Sequence, residues 1–254
     1  MSPLLDVGSV TVHFGGVHAL TDVSFQVAEG EFLCLIGPNG AGKTTLLKAI
    51  TGMVTPQSAR ITLDGREISR LPTHRRIRLG LSLTHQVVRP FRSMTLLDNV
   101  TLASGYRRIR RVLGAMMAWD RRAERARAKE YLDLVGIGDH ADQPTVGQPL
   151  GILKRLEVAR ALALEPRVLL LDEPLAGLNH VEAARLADTV AGINAKGLTV
   201  VMIEHNLGEV MRIGRRLLVL DNGRQIADGA PQAVMQTATV RAAYVGKEAA
   251  DASA

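Results

Sequence analysis

The sequence predicts an α/β fold: a largely parallel sheet, with an antiparallel β-subdomain before it and an α-helical subdomain inserted into it. Residues 8–36 contain three short apolar runs separated by turn residues, which is typical of strands. The later runs "RVLLLD" and "LTVVMIEH" are apolar without alternation and flank a helical segment, as expected for parallel strands covered on both faces. From about residue 89 to 148, Arg-, Ala- and Leu-rich helical sequence replaces the strand signals.

The remaining elements follow in chain order. A helix is predicted from Lys43 to about Thr51, and Asp64-Gly65 in "ARITLDGREI" marks a hairpin. The helical stretch "VEAARLADTVAGINAKG" ends at Gly197, and "RRLLVLDNGRQIADG" predicts a second hairpin. We assign a single domain to residues 1–246, with its core at 1–86 and 157–246 and its helical subdomain at about 87–156. Residues 247–254 are predicted to be a flexible tail.

Composition limits the class of protein. The chain has 254 residues and 46% hydrophobic content, which suits a globular domain. No run approaches about 20 apolar residues, so no membrane span is predicted. The start, "MSPLLDVGSV", lacks a basic region followed by an apolar one, so no secretory signal is expected. Cys34 is the single cysteine, which excludes an internal disulfide, and its position in "FLCLI" predicts a buried strand residue. These features favour a cytosolic protein.

The positive charge is concentrated in one segment. Residues 101–130 hold nine Lys and Arg against three acids, which equals the whole net charge of +6. A solvated helix surface, anionic lipid headgroups and nucleic acid would all explain this segment. An aromatic content of 3% disfavours single-stranded nucleic acid, whose bases stack on aromatic rings. The basic residues are Arg107, Arg108, Arg110, Arg111, Arg121, Arg122, Arg125, Arg127 and Lys129.

The motif "GPNGAGKTT" predicts a phosphate-binding loop, because it lies between an apolar strand and a helix. Glycines let the main chain wrap so that N–H groups face phosphate oxygens, and the helix start adds partial positive charge. Lys43 would reach the β- and γ-phosphates of a bound nucleotide, and the Thr44 hydroxyl would bind Mg²⁺. The predicted binding residues are Gly37, Pro38, Asn39, Gly40, Ala41, Gly42, Lys43, Thr44 and Thr45.

Two carboxylates follow one buried strand, and a histidine follows another. Asp172 ends "RVLLLD", where a carboxylate is costly to bury without a cation, so it is predicted to bind Mg²⁺ through water. Glu173 is predicted to orient or deprotonate the attacking water. The alternative for this pair is an acidic helix cap. His205, at the end of "VVMIEH", is placed where a strand ends beside the nucleotide.

Together with Gln86 in "LTHQ", these motifs resemble the nucleotide-binding subunits of ABC transporters. The resemblance runs from "VHFGGVHALTDVSF" to "AAYVGKE" and implies a RecA-like P-loop NTPase core. Within that family, "FGGVHAL", "PLAGLN" and "GAPQAVMQTATVRAAYVG" are most similar to the branched-chain amino acid importer group.

The resemblance implies further roles. Phe14 would lie against adenine, Gln86 would contact Mg²⁺ and the attacking water, and His205 would contact the γ-phosphate. The segment "QVVRPFRSMTLLDNV" would help to form a groove for a membrane subunit. Asn179 stands where many members have Asp, in the loop after the catalytic Glu173, and is treated as a variant of the importer group.

The segment "VGQPLGILKRLEVARALALEP" predicts an amphipathic helix with an unusually apolar start. Ile152, Leu156, Ala159 and Ala163 form its apolar stripe. The charged residues off that stripe are Lys154, Arg155, Glu157 and Arg160.

Aligned on this helix, the family signature Leu-Ser-Gly-Gly-Gln is replaced by residues 148–152, and Gly151 alone is kept. In the family this signature closes over the γ-phosphate held by a second subunit. Pro149 has no N–H and Leu150 adds bulk, although the Gly151 N–H and the helix dipole could still face phosphate. We therefore predict that this chain weakens its partner's site while its own site stays competent. The alternative is a lineage variant whose main-chain donors suffice.

The resemblance implies an ATPase with ATP and Mg²⁺ as cofactors, acting at the cytoplasmic face of the plasma membrane as a peripheral subunit of an importer. The implied partners are a second ATPase subunit (a heterodimer, with a homodimer as alternative), two permease subunits and, indirectly, a periplasmic binding protein. The substrates expected are branched-chain or related amino acids, or small carboxylates. The rivals are an ATPase of lipopolysaccharide export, and an ABC ATPase acting on nucleic acid or ribosomes. A module that binds nucleotide without hydrolysing it is disfavoured by Glu173 and His205, and no nucleic-acid partner is expected.

Overall fold

The computed structural model describes residues 3–84, 86, 88–105 and 122–251, with the main chain alone for 245–251. A six-stranded sheet has the order β10-β9-β3-β8-β7-β6. Strand β3 pairs parallel with β8 and β9, and β7 pairs parallel with β8 and β6. Strand β10 pairs antiparallel with β9 and forms one edge of the sheet. The strands are β3 Phe32–Ile36, β6 Leu81–Leu83, β7 Val168–Asp172, β8 Thr199–Ile203, β9 Arg216–Asp221 and β10 Arg224–Gly229.

A second sheet confirms the predicted antiparallel subdomain. Its order is β2-β1-β4-β5, and every pairing in it is antiparallel. The Asp64-Gly65 hairpin joins β4 to β5, with Asp64 at φ 52° and Gly65 at φ 71°. The strands are β1 Leu5–Phe14, β2 Val17–Val27, β4 Ser58–Leu63 and β5 Arg66–Glu67.

Nine α-helices lie within the described residues. The third, fourth and fifth contact one another and form the helical subdomain. The boundary predicted at residue 157 falls inside the fifth helix, which is continuous. Within the predicted tail, the described main chain is helical to Asp251. "KEAAD" contains strong helix formers, which explains the extension. The helices are α1 Lys43–Thr51, α2 Thr73–Arg78, α3 Leu96–Ser104, α4 Arg122–Leu134, α5 Leu150–Leu162, α6 His180–Ala195, α7 Leu207–Ile213, α8 Pro231–Gln236 and α9 Ala238–Asp251.

The core lies on both faces of the six-stranded sheet. On β3, Phe32, Cys34 and Ile36 pack with α5 and α6, whereas Leu33 and Leu35 pack with α1 and the antiparallel sheet. Strands β3, β7 and β8 are buried at every position, as their unbroken apolar sequences predict. This burial fixes the ends of these strands, where the polar residues of the site begin.

The structure covers part of the basic segment. Arg107, Arg108, Arg110, Arg111 and Arg121 lie outside the described residues. On α4, Arg125 pairs with Asp98 at 2.5 Å, Arg127 lies 3.8 Å from Glu165, and Lys129 pairs with Asp133. This described part is a solvent-facing helix surface with ion pairs. No helix among the described residues is both long enough and apolar enough to cross a bilayer.

Candidate active site

The loop between β3 and α1 requires glycine at two positions. Gly37 has φ 146°, and a Cβ there would lie 2.0 Å from the Leu220 carbonyl oxygen. Gly42 has φ 98°, and a Cβ there would lie 2.5 Å from the Ala19 carbonyl oxygen. Any other residue at either position would both strain the main chain and clash with a neighbouring strand. The glycine spacing of the motif therefore follows from how the loop packs against β2 and β9.

The loop surrounds a cavity that suits an anion. A cavity of about 180 Å³ is bordered by residues 39–45 and by Glu173. Gly42 caps α1 without a side-chain hydrogen bond, which leaves the first N–H groups of the helix open to a ligand. The Lys43 ammonium donates to the carbonyl oxygens of Gly37 at 2.7 Å and Pro38 at 2.9 Å. The cation is thus already held at the loop, which suits phosphate.

Thr44 and Asp172 lie together at the edge of this cavity. The Thr44 hydroxyl donates to the Asp172 carboxylate at 3.0 Å, although these residues are 128 positions apart. Asp172 is 5% exposed, and its N–H donates to the Thr84 hydroxyl at 3.4 Å. A hydroxyl and a carboxylate are hard oxygen ligands, so the pair fits Mg²⁺ held jointly with nucleotide phosphates.

Glu173 contacts two of the other predicted catalytic residues. The Gln86 amide donates to a carboxylate oxygen of Glu173 at 2.6 Å. The His205 Nδ1 lies 4.0 Å from the same oxygen. Glu173 has φ 50°, which turns its side chain away from the line of β7, and its N–H donates to the Ile203 carbonyl at 3.1 Å. A carboxylate, an amide and an imidazole therefore converge beside the phosphate loop, where they could hold and deprotonate a water.

The other predicted site residues lie outside the border of this cavity. Phe14 is at the end of β1 with 52% of its surface exposed, so it is available for stacking. Asn179 accepts a hydrogen bond from the N–H of Glu182, whose carboxylate accepts one from the Asn179 N–H. Asn179 is thus an N-cap of α6 through a capping box. Its predicted role toward nucleotide stays a prediction.

The start of α5 differs sharply from the start of α1. Pro149 is its N-cap and makes no side-chain hydrogen bond, and Leu150 is 43% exposed. A Leu150 methyl lies 2.8 Å from where a Cβ on Gly177 would be. A Cβ on Gly151 would lie 2.9 Å from the Glu182 carboxylate, so this helix start has a negative charge beside it.

The amphipathic interpretation of α5 needs correction. Lys154 is 5% and Glu157 is 8% exposed, although both lie off the apolar stripe. The helix is covered on more than one side because α3, α4 and β6 all contact it. The sequence of one helix does not reveal this burial, because helical periodicity shows only where its apolar residues lie and not which distant elements pack against its polar face.

Sequence reasoning missed two charged residues at the site. Lys154 donates to the carbonyl oxygens of Gln86 and Glu173, each at 3.0 Å. Glu204 is fully buried and accepts hydrogen bonds from the N–H groups of Leu175 at 2.7 Å and His205 at 3.3 Å. Burial raises the pKa of the Glu204 carboxyl, and these N–H donors oppose that rise. Its place directly after a buried strand, like that of Asp172, was the available signal.

Comparison with known proteins identifies a family for the chain. The ABC transporter family model matches residues 20–176. The chain is 36% identical over 251 residues to the high-affinity branched-chain amino acid transport ATP-binding protein LivG of Salmonella typhimurium, covering 96% of this chain and 98% of the relative. It is also 36% identical over 250 residues to the lipopolysaccharide export system ATP-binding protein LptB of Acidithiobacillus ferridurans, covering 98% and 99%.

A solved structure has the same fold. The ADP conformation of MJ1267, an ATP-binding cassette of an ABC transporter, superposes with a TM-score of 0.84 at 27% identity and covers 97% of this chain and 100% of that one. The family match, the length of the shared sequence and the phosphate loop beside Glu173 lead to one conclusion. The chain belongs to the ABC transporter family, as one of its ATP-binding, ATP-hydrolysing cassettes.

Proposed function

We propose that this chain is the ATPase subunit of an importer for branched-chain or related amino acids, or small carboxylates. The convergence of Gln86, Glu173 and His205 beside the phosphate loop carries the hydrolytic part. The near full-length similarity to LivG supports the transport part. LptB is as similar in identity, so lipopolysaccharide export is the rival that an experiment must separate.

The site residues divide the work of hydrolysis. Lys43 and the open N–H groups of α1 bind the β- and γ-phosphates. Thr44 and Asp172 would hold Mg²⁺, which would supply charge neutralisation at the phosphates, and Gln86 would assist through its side chain. Glu173 accepts the proton of the attacking water, and His205 donates to the γ-phosphate. Phe14 offers its exposed ring to the adenine.

Two such cassettes bind ATP between them in this proposal. The start of α5, with Gly151 and the nearby Asn179, would face the nucleotide held by a second ATPase subunit. Pro149 and Leu150 offer neither a hydroxyl nor a complete set of N–H donors there. A heterodimer suits this asymmetry, because a partner with a full signature would complete the site built on Lys43.

An apolar groove supports the proposed contact with the membrane partners. A groove of about 310 Å³ is bordered by residues from β6, α3 and α5, and by Phe91. Phe91 is 46% and Leu102 42% exposed, and the Arg160 guanidinium lies 5.2 Å from the centre of the Phe91 ring. This groove, at the predicted segment after Gln86, suits a helix of a permease subunit. The chain would then lie at the cytoplasmic face of the plasma membrane, with two permeases and, indirectly, a periplasmic binding protein.

Uptake of radiolabelled leucine, isoleucine and valine tests the proposal. Cells lacking this gene should lose high-affinity uptake and should recover it with the wild-type chain. Glu173→Gln should not restore uptake, because it removes the group that accepts the proton. The purified variant should still bind ATP while hydrolysing it at least about a hundredfold more slowly, since one general base contributes about 10²–10⁴. Lys196→Met, at the exposed end of α6, is the matched control and should restore uptake.

Two results would redirect the assignment. Normal amino acid uptake together with an outer-membrane permeability defect would favour lipopolysaccharide export. An ATPase rate that rises with added RNA or DNA, with no membrane protein associated, would favour the nucleic-acid rival.

A further inference from the structure

Lys154 is a buried cation at the active site that none of the roles above uses. It lies on α5, one turn after the helix start, and is 5% exposed. Its ammonium donates to the main-chain oxygens of Gln86 and of Glu173, each at 3.0 Å. These are the two residues whose side chains hydrogen-bond each other at 2.6 Å. One ammonium therefore joins the main chains on both sides of the amide–carboxylate contact.

The surroundings of Lys154 explain why an ammonium is stable there. The carboxylates that act on it are those of Glu204, Glu173, Asp172 and Glu157. Burial lowers the pKa of Lys154, and these four carboxylates oppose that change. Lys154 thus supplies positive charge to the acidic groups at the ends of β7 and β8. Its removal would leave buried carboxylates facing one another, which is costly in a low-dielectric site.

The main chain of Glu173 is the part that needs holding. Its φ of 50° is uncommon for a residue with a side chain. Three hydrogen bonds hold the main chain of Glu173. Its N–H donates to the Ile203 carbonyl, and its own carbonyl accepts from the Ala176 N–H at 3.3 Å and from the Lys154 ammonium. The direction of that carbonyl is linked to the direction of the Glu173 side chain. The Lys154 bond therefore helps to aim the carboxylate.

We propose that Lys154 is a positioning residue for hydrolysis, which fixes the main chains of Gln86 and Glu173 and ties both to α5. It keeps the amide and the carboxylate aligned without touching the nucleotide itself. A shift of α5 would move this ammonium and, through it, both residues. This coupling between α5 and the two residues acts in the proposed pairing of subunits, in which the start of α5 meets the nucleotide held by the second subunit. The positioning role needs only the chain's own site.

Substitutions of similar length test the positioning role in the full chain. Lys154→Met removes the charge and the donors, and we expect its kcat for ATP hydrolysis to fall about 10- to 100-fold. KM and the affinity for a fluorescent ATP analogue should stay within about twofold, because the phosphate loop is intact. Lys154→Arg keeps a charged donor and should recover at least a third of the lost rate on a logarithmic scale. Lys196→Met is the matched control and should behave as the wild type does. Should the methionine variant not fold, Lys154→Leu, which also lacks the charge and the donors, carries the same expectation.

Hydrogen exchange provides a readout that needs neither hydrolysis nor a partner. Peptides that contain Gln86 and Glu173 should exchange faster in Lys154→Met than in the wild type, and a peptide from α1 should not. If cells with the wild-type chain took up no branched-chain amino acids, the import proposal would fail, but the hydrogen-exchange result would still stand. The two proposals therefore fail separately.

Several results would overturn the positioning role. These are an unchanged kcat in Lys154→Met, a loss of ATP affinity that matches the loss of kcat, or an arginine variant as slow as the methionine variant with unchanged hydrogen exchange. A double-mutant cycle adds one more criterion. In a Glu173→Gln background, Lys154→Met should cost little further turnover, and an undiminished cost would contradict action through Glu173.

Discussion

The starts of α1 and α5 are both helix N-termini without a side-chain cap, yet they offer a nucleotide opposite environments. At α1, Gly42 leaves N–H groups open beside the Lys43 ammonium and a cavity of about 180 Å³. At α5, Pro149 is the cap, Leu150 is exposed, and a carboxylate of Glu182 lies against Gly151. A helix dipole alone therefore does not make an anion site. The residues around the first turn determine whether phosphate is bound.

The largest effect should come from giving α5 a family-like start. Pro149→Ser with Leu150→Gly restores a hydroxyl and an N–H donor and removes bulk. A charge-assisted hydrogen bond contributes about 1.5–3 kcal/mol, which is one to two factors of ten in rate if it acts in the transition state. We expect ATP turnover of the assembled complex to rise by about tenfold. Steady-state phosphate release measures it.

The control for this variant is Val146→Ser, which also replaces an exposed apolar residue in the same loop but lies outside the first turn. Val146 is 63% exposed, and its replacement should leave the rate unchanged. An unchanged rate in the Pro149–Leu150 double variant would instead indicate that the main-chain donors of α5 already suffice. The difference between the two helix starts would then have no effect on ATP turnover.

A smaller effect should follow from neutralising the carboxylate beside α5. Glu182→Gln keeps the capping box with Asn179, because glutamine fills the same position, so stability should change little. Charges near a helix terminus contribute about 0.3–1 kcal/mol. Removing the negative charge that opposes an anion at Gly151 should therefore raise the rate of ATP turnover about two- to fivefold. Turnover in the same assay tests this expectation.

Asp188→Asn is the matched control, since it removes one negative charge from the same helix at a side chain that is 63% exposed and pairs with Arg212. Equal gains in both variants would show a general effect of net charge. A gain confined to Glu182→Gln would locate the effect at the start of α5.

The contrast also shows what sequence could predict. The phosphate loop was predictable because its chemistry is local: the glycines, Lys43 and Thr44 follow one another at fixed spacing in the sequence. Strands β3, β7 and β8 were predictable because burial on both faces removes alternation.

The rest depends on contacts between distant segments. Lys154 meets Gln86 across 68 positions, a relation that no helical period encodes. Gly151 meets Glu182 only because the first turn of α5 lies against the first turn of α6. Periodicity placed Lys154 on a polar face, whereas the helices and strands around α5 enclose it.

The finest test compares thiol reactivity at the two regions, and its readout does not depend on the rate of hydrolysis. Cys34 lies on β3, which leads into the phosphate loop; it is fully buried, and burial raises its pKa to about 12. At pH 8 such a thiol is ionised in roughly one molecule in ten thousand, so the native wild-type chain should not react with an aromatic disulfide reagent. Raising the pH toward 12 increases the thiolate fraction, and denaturant should expose one reactive thiol.

Leu150→Cys should add one fast-reacting thiol, because that position is 43% exposed. In a Glu173→Gln background, ATP should slow the labelling of this new thiol, since the proposed subunit pairing covers the start of α5. Labelling that ATP leaves unchanged, in a complex that still binds it, would mean that this helix start does not face the second nucleotide.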